Sequence, residues 1–334
     1  MAPKVSVIIP VFNCKPYLAD CLRSVTSQSE ADLEIIVADD GSTDGSWELL
    51  QELASSDKRL SLYRQRNSGC PGAARNLALS HAAGRYIAFL DADDLYHPDK
   101  VKKAVEVFEA FGDIDIFFHD VRRFKVDPAE EPDSFLERGK FLARAAGYLE
   151  HLGNGTYLGK DNFYVFASVE FCPFHTSSIT LRRELFESAG TWFREDMPSG
   201  QDTEFWFRLA KNRRVAYLNE VLSYYRKTPR GVSSDPVRYL LGCIQAHGEN
   251  LRRGMDVFSE REAEVCRARL ARYLSDVGYL YFCRFNPSEA RRAYRRSLGF
   301  QFRSRTLTAY LKTFVPGPVV RAYRKRNEDS WRSR

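Results

Sequence analysis

The sequence predicts an α/β fold in which a mainly parallel sheet carries helices on both faces, followed by a helical C-terminal region rich in arginine. The first observation behind this prediction is that apolar, β-branched runs alternate with runs of helical period. The second is that three of the apolar runs end in clusters of polar residues. The third is charge, because residues 265–334 hold 17 Lys and Arg against 4 Asp and Glu.

The strands and helices of the first half alternate in a regular order. Strands are predicted at 5–11, 33–39, 60–64, 86–91 and 114–119. Helices are predicted between them at 15–28, 43–55, 71–83 and 98–111. Such alternation with short connections is typical of a parallel sheet covered by helices. Ser42 or Thr43 is suited to cap the second helix, and Pro98 to stand early in the fourth.

The second half is less regular. Residues 122–162, which include Pro-Ala-Glu-Glu-Pro, predict a connecting excursion beside the functional crevice, partly helical near 134–150. Beyond it we predict a strand and helix at 175–188, a loop entering a helix at 200–211, and strands near 214–218 and 221–226. From about 236 onward the pattern is helical, interrupted by Asn286-Pro287 and by Pro316-Gly317-Pro318. We therefore predict two domains, a catalytic one at 1–235 and a helical, arginine-rich one at 236–334.

The composition argues against several classes of protein. At 44% apolar and 13% aromatic residues, the chain is too apolar to be disordered. No apolar run approaches the ~18 residues of a membrane-spanning helix, and the N-terminal residues lack a basic leader, so we expect a cytoplasmic protein. The seven cysteines are odd in number and scattered, which argues against a disulfide framework or a zinc site.

The run Y-I-A-F-L-D-A-D-D at 86–94 places three aspartates where a buried strand ends. Carboxylates in this position suit a divalent cation, Mn²⁺ or Mg²⁺, that bridges to a phosphate. A polar strand-to-loop turn would explain an isolated Asp-x-Asp equally simply. However, the apolar runs at 5–13 and 35–45 also end in polar residues, and the carboxyl ends of parallel strands meet at one edge. We therefore predict one crevice that binds a pyrophosphate.

Six motifs in this order resemble those of the family 2 glycosyltransferases. They are V-S-V-I-I-P-V-F-N at 5–13, D-D-G-S-T-D-G-S at 39–46, N-S-G-C-P-G-A-A-R-N at 67–76, F-L-D-A-D-D at 89–94, A-G-T-W-F-R-E-D at 189–196 and G-Q-D-T-E-F-W-F-R-L-A at 200–210. The resemblance covers roughly residues 4–228. It implies a GT-A fold, which is Rossmann-like, and an inverting transfer from a nucleotide-diphosphate sugar.

The resemblance implies a role for the ends of the first two strands. Pro10, Val11 and Asn13 would lie near the base and ribose, and Asp40 would accept a hydrogen bond from a uracil-type imide. A buried carboxylate left unpaired by a base without that N–H would give specificity for uridine. For Asp39 and Asp44, turn chemistry and helix N-terminal charge explain the residues as well as ligand contact does.

The resemblance also implies how the diphosphate is held. Asp93 would be the direct metal ligand, Asp91 would hold ribose or a metal-bound water, and Asp94 is better explained as a structural cap. Arg75, which follows Gly69 and Gly72, would meet the pyrophosphate or stabilise the metal-site aspartates, with an ordinary surface arginine as the alternative.

Asp202 stands at the position of the family's catalytic base, which would remove the proton of the acceptor hydroxyl. The sequence departs from the usual Glu-Asp pair because Gln201 precedes Asp202. Glu204 is better explained as a first-turn helix acid, and Trp206 and Phe207 as core residues, although an aromatic platform for the acceptor is the alternative.

A second departure follows Tyr225-Arg226, where the family often has a metal-binding histidine and this chain has Lys227, Thr228 and Pro229. Metal binding would then rest on Asp93, the diphosphate and water, with Arg226 or Lys227 neutralising the leaving diphosphate. His119 and His175 follow strands, but a lone histidine is more often structural than functional.

Residues 288–312 alternate arginine clusters with Tyr, Leu and Phe, as an interfacial helix does. An anionic membrane surface and a helical bundle with solvated arginines explain the pattern equally well, and no motif indicates nucleic acid. The expected function is sugar transfer to a glycan or lipid-linked acceptor in cell-surface polysaccharide synthesis. The alternatives are a non-catalytic nucleotide-binding module that docks on a membrane or partner, and a nucleotidyltransferase. The last would need a Gly-rich basic loop where P-V-F-N-C-K stands.

Overall fold

The computed structural model describes residues 2–125, 134–189, 192–228 and 235–315, with the side chains of 187–189 left out. The predictions for Pro-Ala-Glu-Glu-Pro, for Gly190 and Thr191, for Pro229 and for the tail from Pro316 onward lie outside these residues. The chain divides into two compact units, Met1–Ser234 and Asp235–Arg334.

In the described part of the first unit, ten strands form one mixed sheet. The strands are β1 Val5–Val11, β2 Leu33–Asp39, β3 Leu60–Arg64, β4 Tyr86–Phe89, β5 Leu95–Tyr96, β6 Ile116–Phe124, β7 Leu149–Gly153, β8 Thr156–Gly159, β9 Thr180–Arg182 and β10 Val215–Arg226. Their order is β3-β2-β1-β4-β9-β6-β10-β8-β7, with β5 paired to β10. The β3-β2-β1-β4 part and the β6–β10 pair are parallel, whereas β9 runs antiparallel between β4 and β6. The predicted α/β fold is confirmed.

Nine α-helices are described in the first unit. They are α1 Lys15–Thr26, α2 Ser46–Ala54, α3 Pro71–Leu79, α4 Lys100–Ala110, α5 Phe135–Arg138, α6 Phe141–Ala145, α7 Phe163–Val165, α8 Glu184–Ala189 and α9 Gln201–Ala210. Leu18, Cys21 and Val25 of α1 and Val101 and Phe108 of α4 pack into the core beneath the sheet. This apolar periodicity is the reason that the alternation of elements could be read from the sequence.

Four local predictions differ from the structure. Neither Ser42 nor Thr43 caps α2; its N-cap is Gly45, whose φ of 86° is open to glycine at little steric cost. Pro98 precedes α4, which begins at Lys100. The predicted excursion contains a β7–β8 hairpin that its irregular pattern did not indicate. The two strands predicted near 214–226 are one strand, β10, whose register with β6 shifts between Leu218 and Ser223.

The second unit is helical, as the sequence predicts. Its described helices are α10 Pro236–Gly254, α11 Glu260–Cys283, α12 Pro287–Phe300 and α13 Ser304–Lys312. A separate apolar cluster that includes Ile244, Leu270, Leu274 and Val277 forms its core. Within the described ranges, no helix is both long and apolar enough to cross a bilayer.

Candidate active site

The loop after β4 brings three carboxylates to the carboxyl edge of the sheet. Asp94 is fully buried and accepts hydrogen bonds from Ser177 Oγ (2.5 Å) and from the backbone N of Arg226 (3.0 Å). Burial, followed by the charges of Asp93 and Asp91, raises the pKa of Asp94 well above its usual value. Asp94 therefore ties the loop after β4 to the end of β10, and its carboxylate is fully engaged within the protein.

Asp93 lies beside Asp91 with few compensating contacts. Thr228 Oγ1 is 3.4 Å from Asp93 Oδ2, and Arg226 Nε donates to the backbone O of Asp93 (3.0 Å). Burial and the neighbouring charge of Asp91 raise the pKa of Asp93 to about 6. Two adjacent carboxylates that repel each other are a donor set that a hard divalent cation would stabilise. In the described part of the chain, no group of three or more His, Cys, Asp or Glu residues could hold a metal by itself.

Arg75 of α3 is the central cation of the site. It is 4% exposed, and its Nη2 donates to Asp91 Oδ1 at 2.5 Å. Its Nε and Nη1 are buried without a hydrogen-bond partner. Burial tends to lower the pKa of Arg75, but the charges of Asp91 and then Asp202 raise it above the usual value. Asp91, after β4, and Asp202, at the start of α9, thus both interact electrostatically with the Arg75 guanidinium, although they are 111 residues apart in the sequence.

Asp202 lies in the first turn of α9, which begins after Gly200 in a left-handed conformation (φ 73°). Its Oδ1 accepts from the backbone N of Thr203 (2.7 Å), and the helix N-terminus favours its negative charge. Glu204 is fully buried and pairs with Arg208 at 3.0 Å, which agrees with a structural helix acid. Gln201 is buried, with Oε1 unpartnered.

Aromatic side chains of α9 lie in the core. Trp206 and Phe207 are 3% and 1% exposed, and Trp206 packs edge-on against Phe89 and Phe193. The alternative of an aromatic platform for an acceptor is therefore wrong, because neither ring presents a face to solvent.

The segment that precedes α9 is fixed to α3. Asn76 Oδ1 accepts from the backbone N of Phe193, and its Nδ2 donates to Phe193 O and Glu195 Oε1, all at 2.9 Å. At Gly72 a Cβ atom would lie only 3.0 Å from the backbone O of Arg194, so this glycine admits the same segment rather than a ligand. We did not predict these positioning contacts; the adjacency of Arg75 and Asn76 in one motif was the only sequence signal.

The nucleoside end is built from the turns after β1 and β2. Val11 is buried and its O accepts from the backbone N of Asp40 (2.8 Å), while Pro10 pairs in β1 with Ala38. Asn13, with φ 52°, accepts at Oδ1 from the backbone N of Thr43 (2.8 Å). These contacts join the end of β1 to the turn after β2.

Asp40 is engaged by the loop after β3. Its Oδ1 accepts from Gln65 Nε2 (2.7 Å) and from Ser68 N (3.0 Å), and its Oδ2 accepts from Ser68 Oγ (2.9 Å). Gly41 has φ 73°, and a Cβ atom there would lie 2.7 Å from the backbone N of Asn67. The acid that we predicted to bind a base therefore orders this loop.

The two other acids of this region have structural partners. Asp39 is buried and pairs with Arg64 Nε at 3.0 Å. Asp44 accepts from the backbone N of Lys15 and of Ser46, both at 3.0 Å, so it joins the starts of α1 and α2. Turn and helix-end chemistry accounts for both residues.

The predicted residues share one edge of the sheet. Asp40 follows β2 and Asp93 follows β4, and both strands pair in parallel with β1. Asp93 also acts on Cys14, the N-cap of α1, where burial and then this charge raise the pKa of the thiol to about 12. Asp202 joins them through Arg75 and Asp91. A separate cleft of about 480 Å³, lined by residues such as Asp120, Lys140 and Tyr217, contains none of the predicted site residues.

Arg226 and the two histidines differ in their surroundings. The Arg226 guanidinium lies over Phe124 (4.6 Å) and reaches Asp20 at 3.5 Å. His119 is buried in the core between Asp120 O and Ser223 Oγ. His175 packs edge-on against Tyr225, with Nδ1 unpartnered. Burial lowers the pKa of His175, whereas the charges of Asp91 and Asp202 oppose this, which places its ring near the two acids.

Comparisons with known proteins agree with this architecture. Residues 6–165 match the model of the family described as Glycosyl transferase family 2. An uncharacterized glycosyltransferase of Rickettsia conorii is 32% identical over 243 residues, which are 72% of this chain and 36% of that protein. A putative teichuronic acid biosynthesis glycosyltransferase of Bacillus subtilis, TuaG, is 46% identical over 105 residues, 31% of this chain and 41% of TuaG. The chain thus spans about a third of the length of the first curated relatives.

Similar solved structures share the fold, and two examples follow. The crystal structure of S. aureus TarS 1–349 in complex with UDP-GlcNAc has a TM-score of 0.57 at 18% identity, covering 89% of each chain. A mannosyltransferase of Pyrobaculum calidifontis in complex with GDP-Man and Mn²⁺ has a TM-score of 0.57 at 19% identity, covering 94% of this chain and 84% of that chain. At these identities the likeness establishes the fold alone.

Proposed function

Because this chain belongs to the family 2 glycosyltransferases, we propose that residues 1–235 transfer a sugar, with inversion, from a nucleotide-diphosphate sugar to a hydroxyl of a glycan or lipid-linked acceptor. The observation that carries the proposal is that Asp91 and Asp202 act on the single buried guanidinium of Arg75, with Asp93 beside Asp91. Buried ionisable groups with perturbed pKa values that meet at the carboxyl edge of an open sheet are typical of a functional site.

The proposed donor is a UDP-linked hexose or N-acetylhexosamine. Asp40, directly after β2, would accept a hydrogen bond from the uracil imide N–H. It would use a carboxylate lone pair that is free, or the one that now accepts from Gln65. Pro10, Val11 and Asn13 would line the base and ribose. The UDP-GlcNAc complex of TarS supports uridine, whereas the GDP-Man complex of the mannosyltransferase makes guanosine the competing base. A binding panel that includes both nucleotides decides between them.

In the proposed reaction each acidic residue has a separate task. Asp202 takes the proton of the acceptor hydroxyl as that oxygen attacks the anomeric carbon from the face opposite the diphosphate. Asp93, with Asp91 beside it, would hold Mn²⁺ or Mg²⁺, which would neutralise charge on the leaving diphosphate. Arg226, packed against the backbone of Asp93, would add positive charge at that end.

The proposed setting is the cytoplasm, at the inner face of the cell membrane, in the synthesis of a cell-surface polysaccharide. The relationship to TuaG, a putative teichuronic acid biosynthesis enzyme, supports this setting. The excess of Lys and Arg in residues 265–334 supports contact with an anionic membrane surface rather than with nucleic acid.

The central experiment is to screen nucleotide sugars for hydrolysis and transfer, and then to test Asp202→Asn. We expect this variant to lose at least about 10²-fold in turnover, because the base is gone, while calorimetry shows nearly unchanged nucleotide binding. Asp196→Asn, an exposed acid before the same helix, is the matched control and should keep full activity. Full transfer by Asp202→Asn would remove this residue from the role of base. No turnover by the wild-type chain with any donor, despite nucleotide binding, would favour the non-catalytic module.

The metal proposal has its own measurement. Asp93→Ala should lose the Mn²⁺-dependent part of UDP affinity and keep the metal-independent part, because only one direct ligand is removed. Calorimetric titrations with and without Mn²⁺ measure both parts. Identical metal dependence in Asp93→Ala and the wild-type chain would exclude Asp93 as a ligand.

A further inference from the structure

The outer face of α12 is an unpaired block of positive charge. Arg292, Arg295 and Arg296 are exposed, and Arg291 lies one helical turn before Arg295. The ion pairs in the described part of this unit, such as Arg252–Glu249, Arg267–Glu260 and Arg284–Asp235, all involve other segments. Four arginines within six residues therefore have no carboxylate partner among the described ion pairs, and they attract anions from solution.

Apolar side chains at the end of α13 and in the turn after it adjoin this charge. Leu311 and Phe314 lie one turn apart and are 57% and 55% exposed. The guanidinium of Arg291 lies over the ring of Phe314, 4.9 Å from its centroid, so α12 and the turn after α13 contribute to one surface. We call it the basic–apolar surface, and its residues are Arg291, Arg292, Arg295, Arg296, Leu311 and Phe314.

We propose that the basic–apolar surface docks on a bilayer that contains anionic phospholipids. Each cation near such a bilayer contributes about 1 kcal/mol, and exposed leucine and phenylalanine side chains gain further by leaving water for the acyl boundary. The helices lie on the membrane, because none of those described in this unit is apolar enough to enter it lengthwise.

Charge argues against two other occupants. The remaining sequence, 316–334, carries 6 Lys and Arg against 2 Asp and Glu, so it would be repelled from a basic face. A second copy of this surface would be repelled for the same reason. Nucleic acid would satisfy the arginines but would leave Leu311 in water, whereas a bilayer accommodates both kinds of side chain.

The anionic bilayer is the membrane partner of the proposed function. The proposal rests on that function only in one respect, because a glycosyltransferase with a lipid-linked acceptor has a reason to work at a membrane. The test is flotation of the full chain with vesicles of phosphatidylcholine alone or with phosphatidylglycerol added. We expect binding only to the anionic vesicles, decreasing as salt rises. Arg292→Gln, Arg295→Gln and Arg296→Gln together should weaken the vesicle binding constant about 100-fold. Leu311→Ser with Phe314→Ser should weaken it at every salt concentration.

The controls are Arg252→Gln with Arg261→Gln, which are exposed arginines of α10 and α11, and Val265→Ser, an exposed apolar residue of α11. These variants should float like the wild-type chain, and circular dichroism checks that all variants fold. Equal binding to neutral vesicles, equal loss in control and test variants, or binding to RNA but not to vesicles would overturn the proposal. UDP binding without vesicles is measured in parallel, so that a failure of the donor site is recognised separately.

Discussion

Among single residues, Asp93 is a site carboxylate whose pKa is raised and which has few hydrogen-bond donors around it. Its carboxylate is buried beside Asp91, and these two causes raise its pKa from 3.8 to about 6. An acid with a raised pKa binds its proton more tightly in the folded chain than in the unfolded one. Its effect on stability is therefore neutral below about pH 3.8, becomes more destabilising between about pH 3.8 and 6, and is fully present above about pH 6. The folded chain holds this charge at a cost that a bound cation would offset.

We expect Asp93→Asn to raise the free energy of unfolding at pH 7.5, without divalent cation, by about 1–2 kcal/mol, because the buried charge is removed. The gain should shrink below pH 6 and vanish near pH 4. Urea unfolding at several pH values measures it. Asp113→Asn, at an exposed ion pair with Arg214, should change stability little at any pH. Equal stability of Asp93→Asn and the wild-type chain at pH 7.5 would show that the buried charge of Asp93 does not destabilise the fold.

The acids of the site could be predicted from the sequence, whereas most of their partners could not. Asp91, Asp93 and Asp202 stand in local motifs whose chemistry is visible in a few residues. Ser177, which donates to Asp94 and accepts from the backbone N of Asp91, lies in a run of hydroxyl residues before β9 that has no such signature. Its role depends on β9 pairing antiparallel with β4, and such long-range pairing is not written in any local pattern.

Between elements, the decisive contact is the one that joins α3 to the segment before α9. Asn76 satisfies both backbone groups of Phe193, and Cys70 Sγ donates to the backbone O of Met197 at 3.1 Å. Arg208 of α9 donates to Trp192 O from the other side. The start of α9, and with it Asp202, is therefore positioned relative to Arg75 by Asn76 of α3 and by Cys70, the N-cap of α3.

Asn76→Asp should uncouple this arrangement. The carboxylate keeps the acceptor for Phe193 N but loses both donors and faces Phe193 O and Glu195, so we expect destabilisation of about 1–3 kcal/mol. Turnover should fall about 10- to 100-fold with little change in donor KM, since misplacing the base affects chemistry more than binding. Steady-state kinetics and thermal unfolding measure the two effects.

Asn219→Asp is the matched control, because Tyr217 OH needs only an acceptor at that position and Asp retains it. A fall in donor affinity equal to the fall in turnover would assign Asn76 a general structural role instead.

At the scale of elements, sequence-based prediction failed where backbone conformation, rather than the polarity of the residues, decided the element. The Gly45 cap depends on a positive φ, and the β7–β8 hairpin depends on pairing with β10.

For the whole molecule, the change from strand–helix alternation to continuous helical pattern was visible in the sequence because the two units have separate cores. The cores are the apolar cluster beneath the sheet and the smaller cluster around Leu270 and Leu274. Composition could not reveal what the second unit contacts, since solvated arginines and a membrane-facing surface have the same sequence pattern. The exposure of Leu311 and Phe314 beside Arg291 supplies the observation that favours a membrane.

The proposed division of labour predicts that residues 1–235, expressed alone, fold and bind UDP while losing the affinity for anionic vesicles. All proposed donor-binding residues lie in the first unit, together with the sheet and its core, so the fragment contains what nucleotide binding requires. Calorimetry should give a UDP affinity within about threefold of the full chain, and urea should unfold the fragment in one cooperative transition. The full chain is the control in flotation with phosphatidylglycerol vesicles. A folded fragment that still floats would place the membrane contact in the first unit, whereas a folded fragment without UDP affinity would show that the second unit takes part in donor binding.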